Sequence, residues 1–68
     1  MGKRMQRLRE AAGLSQPKLA EAAGVPVGTL RQWEQDRRLP SLEGFIRLAN
    51  GLGVSLDELA GRKPRQAT

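Results

Sequence analysis

The chain contains no cysteine and no histidine. The first absence excludes disulfides, and the two together remove the usual ligands of a zinc site. Any core must therefore come from side-chain packing alone. Cysteine-free composition also fits a reducing cytoplasm. No apolar run approaches the ~20 residues of a membrane span. Met1-Gly2-Lys3-Arg4 is not followed by the apolar stretch of a signal peptide, so no membrane partner is expected. Strand signals are missing as well: there is no period-two alternation and little β-branched content. Catalytic parts are equally scarce. There is no glycine-rich loop of P-loop spacing, and no pair of carboxylates has a reason to share a cleft. The serines at 15, 41 and 55 are each explained as helix caps. Glu43, Asp57 and Glu58 fall in first turns, where the helix dipole favours them. Neither an enzymatic activity nor a cofactor or metal is expected.

What remains is short and basic. At 68 residues the chain is one domain. A domain of this size buries only about 60% of the surface its unfolded form exposes, so its stability is modest. The net charge is +5 and the sequence pI about 11.2. Such a surface attracts polyanions, either nucleic acid or an anionic membrane; a merely solvated basic face is the plain alternative.

Five helical segments can be placed. The first runs over Lys3–Ala12, with Met5, Leu8 and Ala12 on one side, Lys3, Arg4 and Arg7 elsewhere, and Gly13 as its stop. Ser15 caps the second, Pro17 is tolerated in its first turn, and Leu19, Ala20 and Ala23 form its inner face. Gly24 ends it with the positive φ of a sharp turn. The third begins at Pro26, with Leu30, Trp33 and Glu34 on one side and Gly28, Thr29 and Gln32 on another. It stops near Gln35-Asp36, where Asp can take the left-handed conformation. The short basic linker Arg37-Arg38-Leu39-Pro40 follows. Ser41 caps the fourth, whose stripe of Leu42, Phe45, Ile46, Leu48, Ala49 and Leu52 makes it the core's main wall, and Gly53 ends it. Ser55-Leu56-Asp57-Glu58 is a capping box opening a short last helix with Leu56 and Leu59. Residues 1–60 are expected to form the domain, and the polar, basic residues 61–68 a flexible tail or a linker cut short.

Helices two and three, joined by a tight turn at Gly24, have the layout of a helix-turn-helix, whose second helix enters the major groove of DNA. With Leu8-Arg9, Gly13-Leu14-Ser15-Gln16, Leu19-Ala20, Gly24-Val25, Leu30, Trp33-Glu34, Pro40, Leu48-Ala49 and Leu52-Gly53-Val54-Ser55-Leu56-Asp57-Glu58-Leu59 in register, the chain resembles the Cro/phage-repressor type of helix-turn-helix, the xenobiotic-response-element family. The resemblance covers nearly the whole chain. It implies an all-α, compact bundle of five short helices, the lambda-repressor-like DNA-binding domain. It further implies a bacterial or phage-like regulator of transcription, many members being repressors. Such a protein is cytoplasmic, nucleoid-associated when bound, and binds a double-stranded DNA operator as a dimer on half-sites about 34 Å apart.

The same resemblance assigns roles. Val27, Gly28, Thr29 and Gln32 occupy the positions from which the family reads bases. This set departs from a rich reading face, because Val27 and Gly28 offer no side-chain donor or acceptor. Val27 could touch a thymine methyl, and Gly28 lets backbone approach closely. Thr29 brings a hydroxyl and a methyl, and Gln32 can grip adenine through two hydrogen bonds. DNA shape would supply the rest. Gln16 stands where the family contacts a phosphate, at a helix N-terminus suited to an anion. Arg37 and Arg38 stand where it contacts backbone, and Arg31 lies beside the reading face. Arg9 and Glu34 match an ion pair that fixes the angle of the third helix. The lone Trp33 packs between helices three and four, or else donates to a phosphate; Phe45 is core. Leu56 and Leu59 either finish the core or form a weak homodimer seam. Two other readings keep the fold: an antitoxin-like protein, or a protein-interaction module whose main partner is a protein. A missing effector domain would bring the inducing signal.

Overall fold

A computed structural model of the chain describes residues 1–62. Among them are five helices and no strand: α1 (Gly2–Ala11), α2 (Gln16–Ala23), α3 (Val27–Glu34), α4 (Leu42–Leu52) and α5 (Leu56–Ala60). The part of the expected tail that covers residues 63–68 lies outside the described residues.

The starts of α2, α4 and α5 are set by the same local chemistry. The Ser15, Ser41 and Ser55 hydroxyls accept from the N–H groups of Lys18, Gly44 and Glu58 at 3.2, 3.1 and 3.0 Å. Each bond satisfies one of the donors a helix leaves unpaired in its first turn. α3 starts differently. Pro26 is not its first helical residue but its N-cap, extended at φ −63° and ψ 142°, and it offers no side-chain bond.

α1 begins and ends one residue earlier than the sequence suggests. Its first turn is closed from elsewhere: the Gly2 N–H donates to Asp36 Oδ1 at 3.0 Å. Asp36 follows α3 in the left-handed conformation at φ 58°, the one non-glycine residue among those described with positive φ. A Cβ on Gly2 would lie 2.2 Å from the Glu34 carbonyl oxygen, so only glycine lets α1 approach the end of α3 this closely.

Each helix sends one fully buried side chain to a common centre: Met5, Leu19, Leu30, Leu48 and Leu59. Ala20, Ala23, Trp33, Ala49 and Leu52 complete the cluster, with Leu8, Leu14, Val25, Val27, Phe45 and Val54 packed partly buried around it. Two expectations fail at its edges, and one left open is decided. Ala12 is exposed, because α1 has ended by that residue. Leu42 and Ile46 are 73% and 39% exposed, so the apolar stripe of α4 is wider than the face its neighbours cover. Leu59 is fully buried and finishes the core, which removes it from any dimer seam; Leu56, 43% exposed, is the member of that pair left at the surface.

Candidate nucleic-acid interface

α2 and α3 meet at a turn that backbone bonds define closely. Gly24 takes φ 71° while its N–H reaches the Glu21 carbonyl at 3.2 Å, and the Val25 N–H reaches Ala20 at 3.0 Å. This pairing closes the last turn of a helix and redirects the chain. Glycine adopts that φ at no steric cost. α3 then turns Leu30, Trp33 and Glu34 inward. The Trp33 ring lies against Gly44, whose added Cβ would come within 2.8 Å of it. The ring thus occupies the space between α3 and α4.

Glu34 is the charged residue buried inside the domain. Arg9 meets it with two donors, Nε to Oε2 at 2.8 Å and an Nη to Oε1 at 3.2 Å, and sends a third to the Leu14 carbonyl at 2.9 Å. The side chains are 11% and 4% exposed. Two-point engagement of a carboxylate by a guanidinium fixes orientation as well as distance. The pair ties α3 to α1 and to the loop before α2. Gln16 joins it: its Nε2 donates to Glu34 Oε1 at 3.0 Å, and its Oε1 accepts from Arg31 Nε at a longer 3.4 Å. Nothing in local spacing signals this link.

The outward side of α3 is open. Gly28, Arg31 and Gln32 are exposed, and a Cβ at Gly28 would touch nothing within 4 Å. Val27 and Thr29 are only half exposed. Val27 packs partly against the core, and Thr29 lines an open cleft of about 350 Å³ with Val25, Pro26, Trp33, Ser41 and Arg47. Of the positions matched to base reading, Gly28 and Gln32 therefore face solvent most freely. Past the helix end, the N–H groups of Arg37 and Arg38 both reach back to the Gln32 carbonyl, at 2.9 and 3.4 Å. That holds the backbone of both arginines against α3 while their side chains stay exposed. Among the described residues, Arg31, Arg37 and Arg38 have no ion-pair partner. Lys3, Arg4, Arg7 and Lys18 likewise lack one, whereas Arg47 meets Glu43 at 2.9 Å one helical turn away, beside Gly24. Among the described residues no helix is long and apolar enough to cross a membrane.

A family model described as helix-turn-helix matches residues 5–59. The chain belongs to the helix-turn-helix family. Its similarity to the cryptic phage CTXphi transcriptional repressor RstR of Vibrio cholerae is 30% identity over 59 residues, 87% of this chain and 53% of that protein. It is 34% identical over 62 residues to the HTH-type transcriptional regulator ImmR of Bacillus subtilis, covering 91% of this chain and 49% of the other. The chain thus spans about half the length of these two relatives. A shorter relative, the uncharacterized HTH-type transcriptional regulator YazB of Bacillus subtilis, is 37% identical over 87% of this chain and 86% of its own. Among solved structures, the restriction-modification controller protein C.AhdI of Aeromonas hydrophila superposes with a TM-score of 0.83 at 36% identity, over 85% of this helix-turn-helix chain and 88% of that one.

Proposed function

We propose that this helix-turn-helix chain is a sequence-specific DNA-binding regulator of transcription, a repressor, that inserts α3 into the major groove of a double-stranded operator. The observation that carries the reading is the division of α3. Its inner side is locked by Leu30, Trp33 and the Arg9–Glu34 pair, while its outer side presents Gly28, Arg31 and Gln32 and runs on into Arg37 and Arg38. A packed helix with an exposed polar side and three cations at its edge, unpaired among the described residues, suits a grooved polyanion. Similarity to RstR and ImmR, whose names are those of a repressor and a regulator, supports the same function.

In this reading Gln32 supplies the main base contact, bidentate to adenine. Gly28 allows close approach, and Val27 and Thr29 offer methyl groups from the border of the groove. Arg31, Arg37 and Arg38 neutralise phosphates, and Gln16 stands at the same edge. Two copies bind half-sites about 34 Å apart. Their contact uses Ile46 and Leu56, the exposed apolar residues in the body of α4 and in α5, rather than Leu59. The protein acts in the cytoplasm, on the nucleoid. Selection from a pool of random duplexes at low and moderate salt tests this. A two-fold symmetric enriched site that loses selection at one base pair per half-site in Gln32→Ala is the expected result. Absence of binding even at low salt overturns it.

One observation favours a second reading, a module that binds a protein. Leu39 and Leu42 are 77% and 73% exposed in and after the linker that leads into α4. Binding through such residues survives added salt, whereas binding through several phosphates falls steeply with it.

A further inference from the structure

Gln16 joins a buried ion pair to an exposed cation. Its amide is a two-ended group, one end donating and the other accepting, and the surroundings choose which way it points. The Glu34 carboxylate stands 3.0 Å from one end. A carbonyl oxygen there would face a negative charge, so the NH₂ must point at Glu34 and the oxygen away from it. The oxygen then meets Arg31 Nε at 3.4 Å. Glu34 cannot turn to suit another arrangement, because Arg9 holds both of its oxygens at 2.8 and 3.2 Å.

We propose that Gln16 is a positioning residue: anchored on the Arg9–Glu34 pair, its carbonyl oxygen presets the Arg31 guanidinium for a DNA phosphate. Occupying Nε from one side leaves the two terminal nitrogens of Arg31 free as a parallel pair of donors, the edge that grips a phosphate at two points. An arginine held before contact loses less side-chain freedom on binding. For one long side chain this is worth about threefold to tenfold in affinity. The main contribution of Gln16 to binding therefore runs through Arg31, and its own contact with phosphate is minor. The inference rests on the duplex-binding reading above.

The test is a double-mutant cycle on the intact chain, read by fluorescence anisotropy with a labelled random-sequence 30-base-pair duplex across a salt series. Arg31→Ala lowers affinity and reduces the salt slope by about one. Gln16→Met, similar in length but with neither donor nor acceptor of use, costs about threefold to tenfold in the wild-type background. In the Arg31→Ala background it costs less than about twofold, the signature of a coupled pair. Equal losses in both backgrounds overturn the relay and make Gln16 an independent contact. A second readout uses the free protein. The Arg31 Nε–H resonance is protected from exchange in the wild type and loses protection in Gln16→Met. Unchanged protection overturns the relay even if the variant binds poorly for reasons of folding. Failure of the wild type to bind the duplex at all overturns the functional reading, while the resonance still judges whether Gln16 holds Arg31.

Discussion

The inner and outer sides of α3 follow opposite rules. Inside, Leu30, Trp33 and Glu34 each meet fixed neighbours, and the space is so tight that Gly44 cannot carry a Cβ without displacing the Trp33 ring. Outside, Gly28 sits in empty space, Gln32 is exposed, and Arg31, also exposed, meets only the Gln16 amide at 3.4 Å. Within eight residues the chain supplies both a bolt and a probe. The difference teaches that orientation and recognition are separable here. The angle of the helix is set by contacts that never reach solvent, and what it touches is set by residues the fold does not need.

Substitutions can break or sharpen that contrast. The largest effect belongs to the inner side. Glu34→Ala strands the Arg9 guanidinium without its carboxylate and is expected to cost about 3–5 kcal/mol, measured by urea unfolding. A cost near that of an ordinary surface change would mean the bolt holds nothing. Next comes Gln32→Ala, which should leave stability within about 0.5 kcal/mol. It should remove about 1–3 kcal/mol of discrimination at a single base pair, read by comparing duplexes that differ at that step. Uniform weakening on every duplex would instead make Gln32 a backbone contact. Gly44→Ala forces a methyl group against Trp33. Overpacking outweighs the helix propensity gained, and a net loss of about 1 kcal/mol or more is expected in thermal unfolding, with a changed Trp fluorescence. The smallest effect has the opposite sign. Gly28→Ala meets no atom and gains helix propensity, so it should stabilise by about 0.5–1 kcal/mol. A destabilised Gly28→Ala would show that the outer side of α3 is not free after all.

Much of this was legible in the sequence because it is local. The Ser15, Ser41 and Ser55 caps act over three residues, and the turn at Gly24 needs only the φ of one. The inward sides of α2 and α3 follow from helical periodicity. Periodicity marks the direction of a stripe but not its width, and so Leu42 and Ile46 stand outside the core. It also could not tell whether Leu59 would meet the core or another molecule, since both need an apolar side chain. The contact from Asp36 to Gly2 joins residues 34 positions apart and has no spacing signature. The same holds for the Gln16 amide, to which the resemblance gives a phosphate and which in the folded chain also meets Glu34. The nearness of Arg9 to Glu34 came from a resemblance that spans α1 to α5, not from any local pattern.

The five fully buried side chains, one from each helix, have a bearing on how such a domain can change. Every helix holds a share of the same centre, so the domain is expected to unfold as a single cooperative unit, and removing α5 would open the cavity left by Leu59 to water. None of the five lies on the outward side of α3. The residues that would choose a target are therefore a replaceable set mounted on an indivisible one, and a lineage could exchange them one at a time while the mounting stays intact.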